Sequence, residues 1–136
     1  MARLIRLLIV DDEERFVETL SKRLAARGFY VEGANSGPDA ISLIGSRPFD
    51  VVLLDLRMPG MDGLQTLREI KIAAPLVQVV MLSGNASINA AVEGMRLGAS
   101  DYLLKPADIE EVVAKVEEAF EKKRLKEKEL SGHNEP

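Results

Sequence analysis

Residues 49–60 read FDVVLLDLRMPG. Four consecutive apolar residues, Val51 to Leu54, end at a single carboxylate, Asp55, and the breakers Pro59 and Gly60 follow closely. A run this short and this uniformly apolar predicts a strand covered on both faces. Two covered faces require helices on each side, and strands joined through single helices must lie parallel with right-handed crossovers. The flanking sequence supplies those parts. Apolar bursts recur at residues 4–10, 29–34, 50–54, 77–82 and 101–104, and an amphipathic stretch follows each of them. The alternation is five βα units, and no other internal repeat or low-complexity linker is present.

Between the first two bursts Phe16, Leu20 and Leu24 recur every fourth residue, with Gly28 as a terminator. The second helix is expected to start near Ser36, with Pro38 in its first turn, to carry Ala40, Ile41, Leu43 and Ile44 inward, and to stop before residue 45. Asp62 caps a third with Leu64, Leu67 and Ile70 in step. A fourth over residues 87–97 places Ile88, Ala91, Val92 and Met95 on one face, and a fifth opens near Asp108 and carries Ile109, Val112, Val113, Val116 and Phe120. Bursts one, three and four are nearly unbroken, whereas Tyr30, Glu32 and Asp101 dilute two and five, which are therefore the edges. The predicted fold class is α/β, a doubly wound five-stranded parallel sheet of order 2-1-3-4-5, with its ligand crevice at the switch point beside strand one.

Composition narrows the chemistry. At 136 residues, 46% hydrophobic, the chain can bury a core without disulfides or a structural metal. It has no cysteine and one histidine, His133, which removes thiolate nucleophiles, disulfides, iron-sulfur clusters and the usual zinc sites, so any metal is a hard, oxygen-loving cation. Eighteen basic against 22 acidic side chains leave a net charge of -4, the wrong balance for gripping phosphate backbones, and no direct nucleic-acid partner is expected. Arg6 interrupts the N-terminal apolar stretch and acids stand where a signal peptide would be cleaved. No run reads as a membrane span, and a cytoplasmic location is expected.

After Phe120 the inward stripe meets Lys123 and Glu127, and eight of the nine residues in 121–129 are charged. The expected division is a folded domain over 1–120 and a charged helical extension and tail over 121–136 that packs on nothing within the domain. It reads either as a solvated extension or as a connector or dimer stem, with Leu125 and Leu130 as its apolar handles.

Open parallel sheets build their sites at the C-terminal ends of their strands. There strand one offers Asp11 and Asp12, strand three Asp55, strand four Ser83, and strand five Lys105 and Pro106. Each alone has a bland account: helix capping, a strand meeting water, a turn hydroxyl, a solvated lysine. Together they converge on one edge. Three carboxylates cannot crowd together ionised unless a cation offsets their repulsion, and magnesium, which takes a few carboxylates and completes its shell with water and phosphate oxygens, fits best. An aspartate beside such an ion can attack phosphorus while a lysine and a hydroxyl stabilise the phosphoryl oxygens. The constellation reads as an aspartyl-phosphate site.

Four motifs in this order, LLIVDDEE, VVLLDLRMPGMDG, MLSGN and GASDYLLKP, resemble the receiver domain of two-component response regulators over about residues 4–120. The stretch AVEGMRLGASDYLLKP is especially similar to receivers of nitrogen-regulation-type transcription activators. The resemblance implies a flavodoxin-like (βα)5 fold and a phosphorylation switch, not a turnover enzyme. It makes Asp55 the phosphoacceptor, and Asp12, Asp55 and the backbone carbonyl of Arg57 direct Mg2+ ligands, with Asp11 holding a metal-bound water. Ser83 becomes the switch hydroxyl, Lys105 the phosphoryl partner, Lys105-Pro106 a cis peptide, and Tyr102 an aromatic switch coupled to the helix 4/strand 5/helix 5 face. The implied partners are a histidine kinase or histidine phosphotransfer protein, a downstream output protein or domain, and a second copy on phosphorylation. A stand-alone receiver and a piece of a longer regulator both fit.

Rivals lack residues they need. A haloacid-dehalogenase-like phosphatase needs an acid where Arg57 stands; a flavodoxin would set its phosphate against DDEER; no GxxxxGK[ST] or GxGxxG is present. A degenerate receiver is opposed by the complete residue set. Arg57 and Asn85, placed to line the water's approach, offer no general base, so a slow loss of the phosphoryl group is expected.

Overall fold

The computed structural model describes residues 4–57, 62–84 and 88–132. Strands β1 (Arg6–Val10), β2 (Tyr30–Ala34), β3 (Val51–Leu54), β4 (Gln78–Ser83) and β5 (Asp101–Leu104) alternate with helices α1 (Glu14–Ala25), α2 (Gly37–Ser46), α3 (Gly63–Ala73), α4 (Ile88–Arg96) and α5 (Ile109–Gly132). All strands are parallel, in the order β2-β1-β3-β4-β5, the flavodoxin-like α/β arrangement expected from the apolar pattern.

The two-residue period of a strand divides the core into two layers. Leu7, Ile9, Val51, Leu53, Val80 and Leu82 face α1 and α5, meeting Val17, Leu20, Leu24, Val112, Val116 and Phe120. Leu8, Val10, Val52, Leu54, Val79 and Met81 point the other way, onto Ala40 of α2 and Leu67 and Ile70 of α3. Every residue of β3 and β4 is buried, whereas β2 and β5 are mixed, as edge strands are. The caps also follow the sequence: Ser36 Oγ accepts from Asp39 N-H at 3.2 Å and Asp62 Oδ1 from Gln65 N-H at 2.7 Å.

On α4 the four apolar residues share one face, as expected, and most of it is open: Ile88 is 79% exposed and Val92 and Met95 46% each, and together with the buried Ala91 and with Tyr102 they line a groove. Two details depart from the sequence reading. Helix α2 runs through Gly45 to Ser46. The second concerns residues beyond Phe120, which were expected to pack on nothing. Helix α5 continues to Gly132, and Lys123 is buried, its ammonium 3.0 Å from Asp50 Oδ1 and 2.9 Å from Glu127 Oε2. Asp50 immediately precedes β3 at the end opposite Asp55, and its other oxygen accepts the Arg6 N-H at 2.8 Å. Lysine follows the inward stripe because its aliphatic stem can lie along the apolar face while the ammonium reaches the buried acid. Lys122 donates to the Ser100 carbonyl at 3.0 Å, and burial together with the charge of Lys126 holds the Lys71 ammonium below the usual lysine range. The first part of the extension is thus fastened under the sheet. Asn85 and His133 lie outside the described residues.

Candidate phosphoryl-transfer site

The ladder of backbone hydrogen bonds runs one residue past the strand ends and fixes the site. Asp11 N-H donates to the Ala34 carbonyl at 3.1 Å, Asp55 N-H to the Val10 carbonyl at 2.9 Å, and Lys105 N-H to the Ser83 carbonyl at 3.1 Å. The side chains of Asp11, Asp55 and Lys105 therefore leave from sheet-like backbone, whereas Asp12 follows in a bend. Glycine at 63 serves the same end: a Cβ there would strike the backbone of Leu56, so only glycine lets α3 begin this close to the segment carrying Asp55.

Asp11, Asp12 and Asp55 each offer a carboxylate oxygen, and these oxygens all lie within 4.8 Å of one another. Asp11 and Asp55 are buried and Asp12 is exposed. Asp11 Oδ1 accepts the Glu13 N-H at 3.0 Å, and its Oδ2 meets the Lys105 ammonium at 2.6 Å. Asp55 Oδ1 accepts the Arg57 N-H at 3.3 Å. The Ser83 side chain is buried, and among the described residues its hydroxyl has no hydrogen-bond partner. An orphaned buried hydroxyl costs free energy unless something arrives to accept from it. Lys105-Pro106 is a cis peptide. A recess of about 310 Å³ opens here, lined by Asp12, Glu13, Asp55, Arg57, Ser83, Gly84 and Lys105.

Tyr102 lies apart from this recess, half-buried on the α4 side of the sheet, where it lines the groove of Ile88, Ala91, Val92 and Met95. Arg57 is exposed at the rim. Two contributors were not singled out from the sequence. Glu13, at the N-cap of α1, lines the recess with a carboxylate oxygen 3.8 Å from the Lys105 ammonium. Phe16, read as a core position of α1, sits with its ring beneath that ammonium, 4.0 Å from the ring centroid.

Burial, and next the negative charge of Asp11, push the Asp55 carboxyl above the usual carboxylate range, against the Arg57 N-H and the Lys105 ammonium. A native carboxyl that binds its proton more tightly than the unfolded chain does costs stability once ionised: stability falls as pH rises from the ordinary carboxylate range through the raised native value. Asp55→Asn is therefore expected to melt higher than the wild type at pH 7 in a chelator. The gain should fade as pH drops into the ordinary carboxylate range and close when magnesium saturates the wild type. A variant that melts lower than the wild type at pH 7 in the chelator contradicts this.

A family model of the response regulator receiver domain matches residues 7–117, and the chain belongs to that family, the receiver domains of two-component systems. Among its relatives is the regulatory protein AtoC of Escherichia coli, 38% identical over 126 residues that make up 93% of this chain and 27% of AtoC. NtrX from Brucella abortus, solved in complex with ADP, superposes with a TM-score of 0.89 at 32% identity, covering 98% of this chain and 31% of that one. A response regulator from Burkholderia pseudomallei, solved with a phosphorylated aspartic acid, a calcium ion and citrate, superposes with a TM-score of 0.80 at 31% identity, over 90% of this chain and 72% of that one. The chain spans about a quarter of the length of the curated relatives it matches. Among the described residues no helix is long and apolar enough to cross a membrane.

Proposed function

We propose that this chain is a phosphorylation switch that takes a phosphoryl group onto Asp55 from a histidine kinase or a histidine phosphotransfer protein, with Mg2+ bound by Asp12, Asp55 and the Arg57 carbonyl and oriented through Asp11. The observation that carries this reading is the crowding of three carboxylates within 4.8 Å beside the Lys105 ammonium. Their repulsion suits a hard divalent cation, and no described side chain pairs with Asp12, which leaves its oxygens available as ligands. A bound magnesium ion supplies positive charge that offsets the carboxylates and the donor's phosphoryl oxygens.

Asp55 is the attacking group. Its carboxylate oxygen forms a bond to phosphorus as the bond from phosphorus to the donor's imidazole nitrogen breaks, and the imidazole leaves with that electron pair and takes up a proton. Lys105 pairs with the new phosphoryl oxygens, and the Ser83 hydroxyl, orphaned before transfer, acquires an acceptor. Drawing Ser83 toward Asp55 vacates space into which Tyr102 rotates, and that rotation reshapes the face of α4, β5 and α5. The open groove of Ile88, Val92 and Met95 is the surface on which an output protein, an output domain or a second copy then reads the state. The phosphorylated aspartic acid of the Burkholderia pseudomallei relative supports the same chemistry here. The chain makes one phosphoryl bond per signal and is no turnover enzyme; its cytoplasmic placement follows from the kinase it must meet.

The test is magnesium with beryllofluoride, a stand-in for the phosphoryl group, added to isotope-labelled protein. Amide shifts are expected at Asp55, at Ser83 and through residues 88–113, and Asp12→Ala is expected to need at least about tenfold more magnesium, the loss of one charged ligand. Equal titrations for the two proteins remove the metal assignment. Shifts that spare residues 88–113 remove the route through Tyr102.

A further inference from the structure

The Lys105 ammonium is held from more than one side. Asp11 Oδ2 lies 2.6 Å from it, Glu13 Oε1 3.8 Å, and the Phe16 ring centroid 4.0 Å, within the range of a cation-π contact. The Lys105 side chain is only 15% exposed, so the contact is partly desolvated, where such attraction is strongest. Next to it is a cavity of about 200 Å³ bordered by Lys105 itself and by Phe16, Leu20, Leu82, Pro106 and Val112. A lysine with four rotatable bonds beside open space has somewhere to retreat.

These contacts do not survive phosphoryl transfer equally. Asp11 is the partner in the unliganded site, but a cation arriving among the three carboxylates competes with Lys105 for that carboxylate. The ring does not titrate, binds no metal and stays where α1 packs it, so its attraction persists when the ion pair weakens. We propose that Phe16 is a positioning residue: its ring is the seat that keeps the Lys105 ammonium over the site while the phosphoryl group is delivered. This role rests on the reading of Asp55 as the phosphoacceptor and adds to it the residue that orients the lysine.

The test compares Phe16→Leu, which keeps apolar bulk and loses the π face, with Phe16→Tyr, which keeps both. With acetyl phosphate and magnesium, Phe16→Leu is expected to be phosphorylated about fivefold more slowly, the size of one partly desolvated cation-π contact. Phe16→Tyr is expected to stay within about twofold of the wild type, and both variants should titrate with magnesium as the wild type does. The Lys105 ε-methylene protons are expected to show an upfield ring-current shift in the wild type and in Phe16→Tyr, and to lose it in Phe16→Leu. In a Lys105→Ala background, Phe16→Leu is expected to slow the reaction no further, because the ring acts only through the lysine. Wild-type speed in Phe16→Leu overturns the role, as does a Phe16→Tyr as slow as the leucine variant, or an additive loss in the Lys105→Ala background. If the wild type itself forms no adduct, the Asp55 reading fails and this role with it; loss of rate confined to an intact, phosphorylatable site tests the role alone.

Discussion

Asp50→Ala is expected to destabilise the fold by about 3 kcal/mol, among the largest costs of any single substitution away from the phosphoryl site. The carboxylate it removes is 4% exposed and holds the Lys123 ammonium, itself 10% exposed, at 3.0 Å, and the Arg6 N-H at 2.8 Å. Deleting the acid leaves Glu127 as the remaining carboxylate on a buried cation and takes the acceptor from a backbone donor. Lys123→Met, which keeps the stem and discards the charge, is expected to cost less, about 2 kcal/mol, because Asp50 keeps the Arg6 N-H. Glu127→Ala, at a partly exposed position, should cost less than about 1 kcal/mol. The double variant Asp50→Ala/Lys123→Met should fall well short of the sum of its parts, since both single changes remove the same buried ion pair. Denaturant unfolding of these four proteins checks the series, and two truncations check its consequence. A chain stopped after residue 128 should match the full chain, and one stopped after residue 120 should lose about as much as Lys123→Met. If both truncations are neutral, the ion pair contributes nothing and the extension is merely solvated.

Much of the architecture was legible because it is written in short-range pattern. The unbroken runs of β1, β3 and β4 and the diluted ones of β2 and β5 told interior strands from edges, which the observed order satisfies, since burial on two faces admits only apolar residues. The site was legible for a related reason: Asp11, Asp55, Ser83 and Lys105 stand at or just past the ends of strands, so once the strands are parallel their convergence follows. What stayed hidden depends on partners far along the chain. Lys123 sits in a run of charges and looks solvated until Asp50, 73 residues away, is brought under it by the sheet. The ring of Phe16 shares a period of four with Leu20 and Leu24, and that spacing says which face turns inward but not that the Lys105 ammonium lies over it. On α4 the period is equally clear, yet amphipathicity records an apolar face without recording what covers it, and Ile88, Val92 and Met95 are open.

The largest functional effect belongs to Asp55→Asn, which is expected to abolish phosphorylation. Asparagine keeps the shape and the acceptor for the Arg57 N-H, but its amide is too poor a nucleophile to form the bond to phosphorus. The neighbouring acids cannot take over: Asp11 is buried against the Lys105 ammonium, and Asp12 reaches the recess from its exposed rim. The reaction also needs the charge balance around the carboxylates, so removing magnesium with a chelator should stop transfer in the wild type while leaving the fold intact. Lys105→Ala is expected to slow it by about a hundredfold, the scale for losing one charged group that stabilises a transferring phosphoryl.

The measurement that bears most directly on the switch is the intact mass of the protein after incubation with acetyl phosphate and magnesium, followed by peptide mapping of the adduct. The wild type should gain one phosphoryl group, labile to hydroxylamine as an acyl phosphate is, on the peptide containing Asp55. Asp55→Asn should gain none. An adduct of the same stoichiometry in Asp55→Asn, mapped to the same residue in wild type and variant, would contradict the assignment of Asp55 as the phosphoacceptor.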